Sequence, residues 1–189
     1  MKHLLKSIAY VVARELGVGH SEVVYQKAMS LMLQHQKILH HSEYHLPISF
    51  QIPETSCSFH IGDERIDILI YDEHNHIHVV ELKAVTTKIT PSKVSPKSLL
   101  NNAHVQLLKY IHMLERTVSE KIVNGYVINF RQSVSIHDPT SMDIEFDTYN
   151  THTQTWEFGH TVQDSIEPTQ NKDGIIHEHP NVLVLDTSL

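Results

Sequence analysis

The sequence predicts an α/β domain followed by a β-rich acidic extension. Three observations predict it: two N-terminal stretches of helical hydrophobic period, a central run of short β-type segments, and a later helical stretch that leads into another strand. Leu4, Leu5, Ile8, Val11, Val12 and Leu16 recur at helical spacing, and Gly17 follows as a stop, so the first helix is expected over 2–16. After Gly17-Val18-Gly19, Ser21 can cap a second helix over 22–41, with Val24, Ala28, Leu31, Met32 and Ile38 on its apolar stripe. From Glu43 the period changes. Strands are expected over 44–51, 57–61, 65–71 and 77–84, with turns at Ile61-Gly62-Asp63 and Asp72–His76. Residues 85–98 hold Pro91, Pro96, Lys88, Lys93 and Lys97 and are expected as a basic loop before a helix over 99–116 and a strand over Val123–Phe130. Beyond 131, Met142, Ile144 and Phe146 alternate with acids, and Trp156 and Phe158 alternate with polar residues, which predicts an added hairpin. Residues 162–174 are expected as linker and Val182–Leu185 as a last strand.

At 189 residues the chain suits one domain with an appendage, read as 1–130 and 131–189. Apolar residues make up 40% and charged residues 20%, enough to bury a core. No apolar run approaches the length that spans a bilayer, and Met1–Lys6 is not followed by a signal-peptide core, so a soluble intracellular protein with no membrane association is expected. Cys57 has no cysteine partner, which excludes an internal disulfide and a multi-cysteine zinc site. The net charge of −7 is uneven: residues 1–130 carry 13 Lys/Arg against 12 Asp/Glu, whereas 131–189 carry 2 against 10. The aversion to nucleic acid that the total implies therefore resides in the extension, which could itself bind a protein partner.

The chemistry centres on the 65–84 hairpin. Glu81 and Lys83 stand two apart in one strand and project from the same side. With 72–76 as the loop, Tyr71 lies opposite Ile77, and continuing that register sets Asp67 against Glu81. Two facing carboxylates repel unless something neutralises them, and hard oxygen donors favour Mg²⁺ or Mn²⁺. Lys83 lies one strand step away, where an ammonium orients an attacking water or stabilises charge on a phosphate. The plain alternative is an exposed face of ordinary ion pairs among Arg65, Asp67, Glu81 and Lys83. Against it, Ile66, Ile68, Ile70, Val79, Val80 and Leu82 make both strands nearly continuous apolar runs, in which charges are costly.

Further motifs lie on either side. Gly19, Glu22 and Tyr25 spell G-x-x-E-x-x-Y, Arg65 and Asp67 spell R-x-D, Val80–Ala84 spell V-E-L-K-A, and Gln106 with Tyr110 spell Q-x-x-x-Y before the strand Gly125–Phe130. In this order the motifs resemble the GxxExxY family of the PD-(D/E)XK nuclease superfamily, restriction-endonuclease-like proteins with RecB-type relatives, over about residues 13–130. The resemblance implies a central mixed sheet flanked by helices. It implies Asp67 and Glu81 as metal ligands, aided by the Leu82 carbonyl, Lys83 as the catalytic lysine, and Glu22 as the helix-borne acid. Gln106 and Tyr110 form a supporting pair, joined by Tyr25 and Arg65. The resemblance further implies a Mg²⁺- or Mn²⁺-dependent deoxyribonuclease, with nucleic acid, DNA above all, as partner, and a homodimer as an arrangement common among relatives. The link of about fifteen residues between E-x-K and the Q-x-x-x-Y helix is longer than the family's, and its lysines Lys88, Lys93 and Lys97 suit a phosphate backbone.

Other readings compete. A nuclease fold that no longer cuts, kept for binding nucleic acid or a protein partner, belongs to a different functional class. His74, His76 and His78 alternate through the hairpin turn and, with His60 or a carboxylate, suggest a zinc or nickel site. The Cys57/His60 spacing sets those side chains on opposite faces, and no G-x-S-x-G, Walker or dinucleotide glycine pattern occurs.

Overall fold

In the computed structural model of the chain, which describes residues 1–87, 96–133 and 142–159, two helices precede a mixed β-sheet. Helix α1 (Lys2–Leu16) buries Leu5, Ile8, Ala9, Val12 and Ala13 along one stripe and ends at Gly17, whose φ of 66° is cheap only without a Cβ. Helix α2 (Glu22–His35) buries Tyr25, Gln26, Met29 and Leu33. It stops short of the expected 41 because strand pairing wins over the helical period. Lys37 turns the chain at a φ of 59°, Leu39 accepts the Tyr71 N–H, and His40 pairs with Ile70.

Strands β1 (His40–Gln51), β2 (Ser58–Tyr71) and β3 (Ile77–Lys83) form the expected meander, with one correction. The turn expected at Ile61-Gly62-Asp63 does not form, and the two strands expected around it are one. Gly62 stays in register opposite Ile48, whose Cδ1 lies 3.9 Å from where a Cβ would stand, and the chain reverses between Gln51 and Ser58 instead. A short β4 (Thr86–Thr87) and helix α3 (Pro96–Glu115) follow, so both ends of the expected 85–98 loop are ordered into elements, while its middle lies outside the described residues. Strands β5 (Ile122–Ser133), β6 (Met142–Asn150) and β7 (Thr155–Glu157) complete the sheet. The residues expected as linker, 162–174, and as last strand, 182–185, also lie outside the described residues.

Among the described residues the sheet has seven strands, ordered β1-β2-β3-β5-β6-β7 with β4 also on β5. The β3–β5 and β4–β5 pairs are parallel and the others antiparallel, and α3 supplies the crossover that a parallel neighbour requires. This is a restriction-endonuclease-like α/β fold, a central mixed sheet flanked by helices. Strand β3 is buried from Ile77 to Leu82, as its unbroken apolar run demands of a strand covered on both faces. One core joins α1 and α2 to Ile68, Ile70, Val80, Leu82, Ile128 and Phe130. The other joins α3 to Leu69, Ile77, Val79 and Val127. No described helix is long and apolar enough to cross a membrane.

The seat of α3 is close. A Cβ on Gly125 would lie 2.7 Å from Leu107 Cδ2 and 2.9 Å from Ile111 Cδ1, both buried. Gly125→Val is therefore expected to destabilise the protein by about 1–3 kcal/mol and to lower the thermal midpoint by several degrees; an unchanged midpoint would contradict this packing.

The β2–β3 turn is organised by one acid. Asp72 Oδ1 accepts the His74 and His76 N–H groups at 2.9 Å each, and Oδ2 lies 3.3 Å from His76 Nδ1 and from His78 Nε2. Burial works to raise the Asp72 carboxyl, but these bonds outweigh it and hold it at about 2. The buried His78 is pushed below the ordinary imidazole value by desolvation, with Asp72 pulling the other way. A histidine held neutral by the fold contributes stability above its unfolded value and loses it as pH falls through and below that value. Between pH 7.5 and 5, wild type is thus expected to lose more stability than His78→Gln in urea melts, and equal losses would contradict the assignment.

Candidate active site

Asp67 stands where β2 changes face. Ile68 and Ile70 pack toward α1 and α2, yet Ile66 lies in the α3-side core with Leu69, so the alternation of a regular strand breaks at Asp67. The expected register holds from Tyr71↔Ile77 to Ile68↔Val80 and the ladder stops there. Asp67 and Glu81 are consequently not a ladder pair. Instead Asp67 Oδ2 accepts the Leu82 N–H at 2.7 Å, and the Asp67 carbonyl accepts Gln26 Nε2 at 2.9 Å. The side chain thus takes the place of the missing ladder bond to β3, and the carbonyl ties the strand to α2.

Glu81 and Lys83 share a side of β3, as their spacing requires, and Lys83 Nζ lies 2.5 Å from Glu81 Oε1 and 3.4 Å from Glu22 Oε1. Glu22 opens α2, so the first helical turn delivers its carboxylate to the end of the sheet. Glu81 is only 1% exposed, and its Oε2 has no hydrogen-bond partner among the described residues. Burial pushes the Asp67 carboxyl up to about 6, against the pull of the Leu82 N–H and the Lys83 ammonium. Burial pushes Glu81 up to about 7, and the Asp67 charge adds to it. For Lys83, burial favours the neutral amine, but the hydrogen bond and charge of Glu81, then Glu22 and Asp67, outweigh it and raise the ammonium above its ordinary value. Three acids thus act on one amine, and ionising two of them, Asp67 and Glu81, is costly.

The sequence pattern of the PD-(D/E)XK nuclease superfamily matches residues 1–139. The chain belongs to that superfamily. The matched span holds Asp67, the Glu81-Leu82-Lys83 tripeptide and the helix that carries Glu22. No curated protein matches the chain. A solved structure entitled "Crystal structure of SSO0001" is similar over 76% of this chain and 75% of that one, at 13% identity and a TM-score of 0.34, a likeness too distant to bear on fold or function.

PD-(D/E)XK nucleases typically use divalent metals. Among the described residues no three His, Cys, Asp or Glu side chains form a ready metal cluster. The donor set nonetheless fits a hard cation that needs only one or two carboxylates and keeps water: the buried Glu81, with an orphaned oxygen, and the half-buried Asp67, whose charge repels it. The histidines suggested for zinc or nickel form no cluster of three ligands among the described residues, with His60 or with a carboxylate. His76 and His78 bond Asp72, while His60 lies 3.3 Å from Asp63 Oδ2 on the distant part of β2.

The remaining motif residues divide. Gln106 Nε2 donates to the Tyr110 hydroxyl at 2.5 Å, and burial raises the Tyr110 phenol, with Glu81, Glu64 and Asp67 adding to the rise, so this pair borders the acids. The Tyr25 hydroxyl donates to the Gly17 carbonyl at 2.8 Å, and its ring stacks on Phe130 at 4.6 Å, which makes it a brace of the α1–α2 turn. Arg65 is mostly exposed and pairs with Glu43 at 2.6 Å rather than with Asp67. Lys97 lies in the first turn of α3, and Lys88 and Lys93 fall outside the described residues. Sequence reasoning missed Gln26, which bridges Asp67 to Glu43, and Asn129, the register partner of Lys83. Gln26 directly follows the G-x-x-E-x-x-Y tyrosine, one turn after Glu22, and that spacing was the available signal.

Proposed function

We propose that the chain is a Mg²⁺- or Mn²⁺-dependent nuclease that hydrolyses phosphodiester bonds of DNA. The observation that carries this is the acid pair of half-buried Asp67 and buried Glu81, with a Glu81 oxygen unpartnered among the described residues next to the Lys83 ammonium. Charges buried at such cost in a nuclease fold serve chemistry better than stability. Asp67, Glu81 and the Leu82 carbonyl, with Glu22 at the rim, would hold the cation, which supplies charge neutralisation and polarises the scissile phosphate. Lys83 orients the attacking water and stabilises negative charge that develops on the phosphate. Gln106 and Tyr110 fix the α3 side of the site. Tyr25 secures the turn that presents Glu22, and Lys97, with Lys88 and Lys93, follows the DNA backbone. We assign the chain within the superfamily to the GxxExxY proteins on Gly19, Glu22 and Tyr25, with 1–130 as the nuclease unit and 131–189 as its acidic extension.

The test is incubation with linear, circular and single-stranded DNA in Mg²⁺, in Mn²⁺ and in EDTA. Cleavage with either metal that EDTA abolishes supports the proposal. No cleavage of any substrate with either metal overturns it and leaves a nuclease fold kept for binding.

A further inference from the structure

Strands β3 and β4 keep one register against β5: Lys83 pairs with Asn129 and Thr86 with Gln132, with no residue inserted or lost between them. Ala84 and Val85 nevertheless leave the ladder. A backbone N–H released in this way needs a new acceptor, and the Asn129 side chain provides it. Its Oδ1 accepts the Val85 N–H at 3.2 Å, while its Nδ2 donates to Glu145 Oε2 at 2.8 Å, and Arg131 Nη1 holds Glu145 Oε1 at 3.3 Å. The orientation of the amide follows from its partners, because a carboxylate can only accept from it and an N–H can only donate to it. Asn129 is 3% exposed, so neither bond exchanges readily with water.

We infer that Asn129, clamped by Glu145, is a positioning residue for Lys83. The lysine sits between two amides that hang on side chains instead of the ladder: Leu82 N–H on Asp67 and Val85 N–H on Asn129. These two anchors set the backbone tilt at residue 83 and hence where a long, flexible amine is delivered beside Glu81. Without Asn129, the ladder closes through 84–85 or a buried N–H is stranded, and either outcome moves the base of Lys83. Glu145 lies on β6, beyond the residues 1–139 that carry the superfamily pattern, so the site draws support from outside them. This inference rests on the reading of Asp67, Glu81 and Lys83 as a phosphodiesterase centre.

The test combines Mg²⁺-dependent DNA cleavage with amine labelling of Lys83, read by mass spectrometry on the full chain. Asn129→Leu, which keeps the branching at Cγ but is bulkier and cannot accept the bond, is expected to lower kcat by about 10- to 100-fold with KM nearly unchanged, and to speed Lys83 labelling. Asn129→Asp alone sets two carboxylates together and is expected to be as defective. Combining it with Glu145→Gln restores one donor and one acceptor in exchanged places and should recover kcat, with melts reporting whether each variant is folded. If wild type cuts and a folded Asn129→Leu protein cuts equally well, the inference is overturned and the nuclease reading stands. If wild type does not cut, the nuclease reading falls and labelling still decides: unchanged Lys83 reactivity in Asn129→Leu and Asn129→Asp rejects the positioning role, and faster labelling upholds it.

Discussion

Lys83→Ala is expected to lower DNA cleavage by about 10³-fold while leaving DNA affinity nearly intact. The ammonium is the positive charge the site directs at its acids, 2.5 Å from Glu81 and 3.4 Å from Glu22, and its side chain is only 21% exposed. A group so enclosed adds little to the electrostatic capture of a polyanion, which is carried by exposed lysines and arginines. Its loss therefore appears in kcat and not in KM. Lys83→Arg is not expected to rescue, because a planar guanidinium cannot take the place of a compact ammonium between two carboxylates. Single-turnover cleavage together with fluorescence anisotropy in EDTA separates the two quantities. A matched loss of affinity and rate would make Lys83 a binding residue and contradict its catalytic assignment.

Asp67→Asn is expected to abolish metal binding and cleavage and yet to stabilise the metal-free protein. The amide oxygen still accepts the Leu82 N–H, so β2 stays attached to β3 where the ladder stops. What disappears is a half-buried charge. The Asp67 carboxyl titrates at about 6 in the folded protein against 3.8 ordinarily, so the penalty for ionising it builds as pH rises through that interval and is fully present above it. That penalty is about 3 kcal/mol at pH 8, shared with Glu81, and the amide is expected to recover about 1–3 kcal/mol of it. Urea melts in EDTA should show the variant more stable than wild type at pH 8 and equal to it near pH 4. Adding Mn²⁺ should raise the thermal midpoint of wild type and not of the variant. A variant less stable at pH 8 would mean that the carboxylate is there to hold the fold.

The site was legible in the sequence to the extent that it lies along single elements. Strand alternation brings Glu81 beside Lys83, and the Asp72–His76 turn sets the register that carries Asp67 toward β3. The helical period and Gly17 define α1, and alternation in 142–146 sends Ile144 and Phe146 into the core. What escaped depends on contacts between elements. The face change at Asp67 leaves Ile66 and Ile68 equally apolar, so composition does not reveal it. Pairing with β2 shortens α2, although Ile38 continues the helical period, and Gly62 sits within a paired strand opposite Ile48 where glycine usually signals a turn. Asn129 belongs to the site because a parallel neighbour brings it next to Lys83, and that adjacency exists only after α3 has crossed over the sheet.

The central claim is that Asp67 and Glu81 hold one divalent cation between them beside Lys83. Anomalous diffraction from crystals grown with Mn²⁺ tests it directly. A single peak within about 2–2.6 Å of both carboxylates is the predicted result, absent in Asp67→Asn crystals. Manganese bound at the histidines of the β2–β3 turn, with nothing between the two acids, would contradict it.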